Sequence, residues 1–126
     1  MPRHERGFTL IELLIVIVII GLLAAIAIPK FGSTKEKAYL AQMKTDLRNL
    51  ATIEEAYMYD HSAYTTSFPP SIFTVSAGVQ NLAITLDGVG WQATIGHRMT
   101  PKTCAIYVNA TPVPPATDDG VAKCTQ

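Results

Sequence analysis

The sequence has little charge and no excess of either sign. Its 126 residues include 10 basic and 10 acidic side chains, so the formal net charge is zero and charged residues make up 16% of the chain. Soluble domains commonly carry about 25% charged residues. Proteins that bind polyanions through bulk charge have a basic excess, so its absence argues against nucleic-acid binding of that kind.

The sequence also lacks the patterns typical of catalysis and of metal or phosphate binding. Its histidines, His4, His61 and His97, stand apart and have no cysteine or carboxylate at a metal-ligand spacing, which predicts surface histidines. We find no glycine-rich phosphate loop and no nucleophile beside a plausible base. We therefore expect no enzymatic activity, no bound metal and no cofactor.

What the sequence does have is one long apolar run. Between Phe8 and Ile28 only Thr9, Glu12 and Gly21 are not apolar. A helix of that length rises about 31 Å, which matches the ~30 Å hydrocarbon core of a bilayer. The remainder, about 98 residues, has the size of one small domain.

A plain single-span anchor and a secretory signal peptide are the simplest interpretations of this run. The basic start, Arg3 and Arg6, and the small-residue pattern at 25–27 favour a signal peptide. However, the run exceeds the usual ~7–15 apolar residues, and Glu12 lies inside it. We favour a retained span with its N-terminus inside the cell, because the tail before it is too short to cross as a domain.

Glu12 is the most informative residue of the run. A charged side chain at mid-membrane costs about 2.5–3.5 kcal/mol, so such a residue commonly has a partner or a function. The alternative is a glutamate that snorkels to the interface. A cut after Gly7 would create a cationic amine on Phe8, about one helical turn from Glu12. Paired within or between chains, the two charges would offset each other's desolvation.

Beyond Pro29 the helical pattern resumes. Apolar residues recur at three- and four-residue spacing between Leu40 and Tyr57. We predict one long helix from about residue 9 to about residue 59, kinked near Pro29. Its second half is amphipathic and needs a partner surface, with Glu54-Glu55 on a solvated face.

The C-terminal half is expected to supply that surface. A loop rich in Ser, Thr and Pro follows the helix at 60–78. Its larger apolar side chains should hold it to the head: Phe68, Ile72, Phe73 and Val75. Three segments have the composition and turn signals of strands: 82–86, 91–96 and 104–108. We predict an α+β fold, a long kinked helix packed on a small antiparallel sheet of three or four strands, with an irregular tail at 109–126.

Cys104 and Cys124 are the only cysteines. An even count in an exported domain predicts one disulfide, and two free thiols are the alternative. Closing a loop of about 20 residues would stabilise the head by about 3 kcal/mol. Between them lies Asp118-Asp119-Gly120, which favours a solvated turn over a calcium site.

The N-terminal residues resemble those of a known family. Arg-Gly-Phe-Thr-Leu-Ile-Glu-Leu-Leu at 6–14, followed by the apolar run that ends at Pro29, is similar to the start of type IV prepilins. The resemblance implies that Met1 to Gly7 is a leader removed by prepilin peptidase. The cut would fall between Gly7 and Phe8, and Phe8 would become an N-methylated N-terminus.

The same resemblance assigns roles further along the chain. Glu12 would pair with the terminal amine of a neighbouring subunit, and the helix would loosen between Gly21 and Pro29 in the filament. The expected division of the chain is a leader at 1–7, a transmembrane and filament-core helix at 8–29, an amphipathic helix at 30–60, and the loop, sheet and disulfide-bounded region of the head at 61–126.

The resemblance implies a structural subunit, the major pilin of a type IV pilus. Its partners would be copies of itself, prepilin peptidase, the assembly platform with its motor, and the inner membrane, which holds the subunit with its head in the periplasm before it enters an extracellular filament. The alternatives are a pseudopilin or minor pilin of type II secretion or a related system, and a membrane-anchored binding domain. A mild basic stripe should serve packing or solvation, with weak DNA contact as the alternative: Lys35, Lys37, Lys44 and Arg48.

Overall fold

A computed structural model describes Met1 and residues 7–126; residues 2–6, which include His4 and most of the predicted leader, lie outside the described part. The fold is α+β, as predicted. The described elements are helix α1 and four strands: α1 (Leu10–His61), β1 (Val79–Asp87), β2 (Gly90–His97), β3 (Thr100–Val108) and β4 (Lys123–Cys124).

Helix α1 begins and ends within two residues of the predicted bounds and continues through Pro29. Proline removes one donor from the helical ladder, so the carbonyl of Ala25 loses its usual i+4 partner. One turn later, the hydroxyls of Ser33 and Thr34 both donate to the Lys30 carbonyl, each at 2.9 Å. Pro29 therefore does not end the helix; a kink in its axis stays a prediction.

The chain divides into two compact units, Met1–Lys35 and Glu36–Gln126. The first consists of the N-terminal residues and the apolar part of α1, whose large side chains from Leu10 to Phe31 are exposed. The second, the head, contains the rest of α1 and the whole sheet. Only the head has a buried core among the described residues.

The sheet is antiparallel with strand order β1-β2-β3-β4. β1 is longer than predicted because it includes an irregular step between Gln80 and Ala83, where Asn81 has a φ of 57°. Gly90 opens β2 where the backbones are closest, since a Cβ there would collide with the carbonyl oxygen of Val108. Only glycine fits that position.

The core of the head lies between α1 and the sheet. The predicted amphipathic face supplies Met43, Leu47 and Leu50, each fully buried. They share one cluster with side chains of β2 and β3, including Trp91 and Ile106. Alternate residues of β2 face this cluster, as the period of a strand requires.

The loop between α1 and β1 is held to this core by three of the four predicted side chains. Phe68, Phe73 and Val75 pack against the cluster. The prediction for Ile72 is wrong: its side chain is 55% exposed. Ile72 lies in a short turn closed by backbone donation from Ile72 to Pro69, and this turn directs its side chain to solvent.

Cys104 and Cys124 form the predicted disulfide. The two residues are also register partners in β3 and β4, so the bond joins directly opposite positions. The predicted irregular tail therefore ends in a short strand. A second small cluster, Ala105, Tyr107 and Ala116, holds the intervening loop.

Candidate functional site

The start of α1 is a complete capping box. Glu12 Oε2 accepts from the Thr9 amide at 2.8 Å and from the Thr9 hydroxyl at 2.7 Å. In return, the Glu12 amide donates to Thr9 Oγ1 at 3.3 Å. Thr9 is the N-cap and Glu12 the third helical residue, the spacing at which both side chains satisfy helix-end donors. Glu12 is thus a local structural element as well as a charge in an apolar run.

Among the residues that the structure describes, the side chains beside this box are apolar and exposed. Phe8 is 78% exposed and Leu10 is 88% exposed, and Glu12 itself is exposed. A carboxylate ringed by uncovered apolar side chains is costly once lipid or protein covers them, unless a cation comes with the cover. Both hydrogen bonds to Thr9 use Oε2, so Oε1 can accept from an incoming cation without breaking the cap.

The predicted site residues do not converge within one chain. Gly7 and Phe8 precede the helix, Glu12 lies in its first turn, and Gly21 and Pro29 follow along it. Gly21 is two and a half turns beyond Glu12, which separates them by about 13 Å at 1.5 Å per residue. Joint action of Gly21 or Pro29 with Glu12 requires contacts with other molecules, whereas Phe8 lies about one helical turn from Glu12.

Gly21 has no visible reason to be glycine within its own chain. A Cβ there would meet nothing within 4 Å among the described residues. A helix-interior glycine costs about 0.5–1 kcal/mol relative to alanine.

Glu54 corrects the prediction of a solvated Glu54-Glu55 face. Glu55 is exposed, but Glu54 is fully buried in the head. Its Oε2 accepts from the Thr65 amide at 3.2 Å, and Oε1 has no partner among the described residues. Burial raises the pKa of Glu54, the Thr65 hydrogen bond opposes the rise, and the charge of Glu55 adds to it.

Asp46 is a second buried carboxylate, missed by sequence reasoning. It is 4% exposed. Its two oxygens accept from the amide and from the hydroxyl of Ser76, both at 2.8 Å. The pair fastens the segment just before β1 to the middle of α1. Because both donors belong to Ser76, the two hydrogen bonds hold this residue in place, and we call the contact the Asp46 clamp.

The histidine prediction is half right. His61 is exposed at the end of α1, as expected. The prediction for His97 is wrong, because it is 5% exposed and stacks on Tyr39 with ring centroids 4.4 Å apart. Its Nδ1 accepts from the Met99 amide at 3.1 Å. A histidine that ends a core strand opposite an aromatic helix residue is a packing element.

Asp118 and Asp119 are exposed, and both carboxylates form polar contacts within the C-terminal segment. Asp118 pairs with Lys123, which lowers the pKa of that carboxyl together with the Thr117 hydroxyl. Asp119 accepts from the Asn109 amide at 2.8 Å. The two carboxylates thus serve separate partners. Among the described residues no three metal-ligating side chains form a group.

In the part of the chain that the structure describes, α1 alone is long and apolar enough to cross a membrane. Its most apolar window has a mean hydropathy of 3.1 and none of it is buried. The length and composition of this window fit a span.

Comparison with known proteins identifies the same region. Residues 2–28 match the family model described as the prokaryotic N-terminal methylation motif. The chain is 40% identical over 67 residues to the type II secretion system core protein G of Dickeya chrysanthemi. It is 46% identical over 63 residues to the type IV major pilin protein PilA of Myxococcus xanthus, and 40% identical over 65 residues to the type IV wide pilus major component PilA4 of Thermus thermophilus.

These matches cover about half of this chain: 53%, 50% and 52% respectively. They cover 44%, 28% and 50% of the three relatives, so the chain spans half of their length or less. All three relatives are named as components of pili or of a secretion system.

Proposed function

Because the chain belongs to the type IV pilin and pseudopilin superfamily, we propose that it is a structural subunit, the major pilin of a type IV pilus. The observation that carries the proposal is the start of α1: a carboxylate held in a capping box within an uncovered apolar helix. Such a helix end needs both an apolar cover and a cation. A second copy of the same processed chain supplies both.

The proposed sequence of events begins at the inner membrane. The apolar part of α1 holds the precursor there with its head in the periplasm. Prepilin peptidase cuts between Gly7 and Phe8, and the new amine on Phe8 is N-methylated. The amine stays cationic, since a methylated amine still binds a proton, and it lies beside the Glu12 carboxylate of its own or a neighbouring chain.

Assembly then transfers helices from lipid to a protein core of similar apolarity. That transfer supplies little hydrophobic driving force, so packing and the pairing of Glu12 with a Phe8 amine decide the register. An assembly platform and its motor would lift each subunit out of the membrane. The uncovered side chains between Leu10 and Phe31 become the core of an extracellular homopolymer, with helix loosening between Gly21 and Pro29.

The capping box makes a sharp test possible. Glu12→Gln keeps a side-chain oxygen that can cap Thr9 but removes the charge. Thr9→Ala removes the cap and keeps the charge. If charge pairing drives assembly, Glu12→Gln lowers the yield of sheared filaments by about tenfold or more, while Thr9→Ala assembles nearly normally. Membrane insertion is unchanged in both. The reverse pattern would reduce Glu12 to a helix cap.

The mature N-terminus separates the proposal from its rivals. Mass spectrometry should find N-methyl-Phe8 as the first residue. A chain that still starts at Met1 would be an anchored binding domain, and one that starts at Ile28 a secreted domain.

A pseudopilin or minor pilin is the second candidate, favoured by the identity to the secretion-system protein of Dickeya chrysanthemi. Purified surface filaments decide between the two. If this chain is the bulk protein of those filaments, it is the major pilin; a trace component at a filament end would make it a minor pilin or pseudopilin.

A further inference from the structure

The head carries a charged stripe whose sign changes along α1. Lys37, Lys44, Arg48 and Glu55 follow one another at intervals of seven, four and seven residues. At 3.6 residues per turn those intervals keep them on one face of the helix. Lys37, Arg48 and Glu55 are exposed and Lys44 is half-buried. The stripe is basic at its N-terminal end and acidic at its C-terminal end.

The sheet also has basic side chains at the N-terminal end of the stripe. The turn between β2 and β3 lies beside the first helical turn of the head, because Thr100 donates to Glu36 at 3.1 Å and Lys102 pairs with Glu36 at 3.4 Å. Arg98 is exposed in that turn. This end of the head thus has one acidic side chain, Glu36, amid several cations.

The acidic sign repeats at the opposite end. Tyr64 donates to Glu55 at 3.0 Å, and its ring lies 6.5 Å from that of Trp91, which is next to the β1–β2 turn. Asp87 of that turn accepts from the Thr111 amide, which brings the loop that contains Asp119 to the same end. Apart from Asp118 with its Lys123 partner, the carboxylates connected in this way are Glu55, Asp87 and Asp119, and Asp60 is exposed in the last turn of α1.

The head is therefore dipolar although the whole chain has no formal net charge. An interface with two-fold symmetry brings identical patches together and would oppose like charges. A head-to-tail contact brings unlike charges together and leaves both ends open for further copies, which is the geometry of a filament. The charge pattern thus selects the second kind of contact.

We propose that the basic end of one head, at Lys44 and Arg48, docks on the acidic end of the next copy, at Glu55 and Asp60. This inference rests on the proposed filament function and adds the surface through which the heads recognise each other. Each exposed ion pair is weak and screened by salt, so the pairs set orientation and the rate of docking more than affinity. Repetition at every interface makes their sum measurable.

Charge exchange in the full chain tests the proposal. One variant combines Lys44→Glu with Arg48→Glu, a second combines Glu55→Lys with Asp60→Lys, and a third carries all four changes. Each pair should lower filament yield severalfold, because like charges then face each other. The fourfold variant should return to within about twofold of the wild-type yield, since complementarity is restored. A damaged fold would not be rescued in this way.

Asn49→Glu controls for added negative charge alone, since it adds one exposed negative charge about 100° round the helix from Arg48 and should lower yield less than either reversed pair. Normal yield of both reversed pairs, or no recovery in the fourfold variant, would overturn the inference. If reversing the basic end instead leaves yield normal and abolishes retention of duplex DNA by the filaments, that end is a nucleic-acid surface and the inference is again overturned. In these cases wild-type filaments that start at Phe8 keep the proposed function intact; their absence would remove both.

Discussion

Leu14 and Leu47 are the same residue type on the same helix, yet Leu14 is 57% exposed and Leu47 is fully buried. The difference separates the two compact units. The head covers the apolar face of its helix segment with its own sheet. The N-terminal unit has no covering element among the described residues, so its apolar surface is larger than soluble monomers expose.

This contrast shows that two parts of one helix can have different hydrophobic patterns and therefore need different surroundings. In the head, apolar residues recur every three or four positions and the remaining face is polar, which specifies one internal partner. In the N-terminal unit, apolar residues occupy the whole circumference of the helix. Such a helix needs apolar surroundings on every side and does not favour one partner surface. Lipid and neighbouring copies both supply such surroundings, as the proposed passage from membrane to filament requires.

The largest expected effect tests the contrast directly. Leu47→Ala should destabilise the head by about 2–5 kcal/mol, because it leaves a cavity in the core. Leu14→Ala should change head stability by less than about 0.5 kcal/mol. Thermal unfolding of the full chain in detergent micelles, followed by fluorescence of Trp91, the only tryptophan, measures both. Equal losses would mean that the units do not differ as described.

Next in size is the disulfide, which belongs to the head alone. Replacing Cys104 and Cys124 together by alanine should cost about 3 kcal/mol, since the bond closes a loop with a sequence separation of 20 residues. Reducing the wild-type protein should lower its free energy of unfolding by a similar amount. The same reductant should not affect the double variant, and any further loss there would point to an unrelated effect.

A smaller effect is expected at the Asp46 clamp. Asp46→Ala leaves the half-buried amide and hydroxyl of Ser76 without their acceptor and should cost about 1–3 kcal/mol. Asp46→Asn keeps one acceptor oxygen and should cost less. Hydrogen exchange at the Ser76 amide should quicken most in the alanine variant; unchanged exchange there would show that the clamp does not hold this segment.

The smallest effect is a pH dependence from Glu54. Burial raises the pKa of Glu54, so the folded head holds this proton more tightly than the unfolded chain does. Stability is therefore greatest below the ordinary pKa and falls as pH rises through the window between the ordinary and the raised value. Glu54→Gln should remove that fall and raise the unfolding midpoint at neutral pH. Glu55→Gln, at the exposed neighbour, should retain the wild-type slope.

The architecture could be predicted from sequence because it depends on the spacing of apolar residues and on the turn residues that separate the elements. The three- and four-residue spacing at Met43, Leu47 and Leu50 marks the buried helix face, and turn residues separate the strands. The disulfide followed from cysteine parity. Strand β4 could not be predicted, because two residues become a strand only when β3 lies beside them.

Of the candidate site, sequence singles out only the position where a charge interrupts a uniformly apolar run, and its role there stays a prediction. Glu12 stands out for that reason. Glu54 continues the spacing of Leu47 and Leu50 on the buried face, but a glutamate is typical of a solvated face, so residue type and position disagree there. Asp46 and His97 depend on partners remote in sequence, Ser76 and Tyr39, which no local pattern brings together.

The capping box has a consequence for the order of events at the N-terminus. Its donors are the amide and hydroxyl of Thr9 and the amide of Glu12, so a cut before Phe8 removes none of them. The helix start is already set in the uncut precursor, and a methyl group on the Phe8 nitrogen would leave it untouched. Processing would thus change only the charge next to a helix start that is already formed.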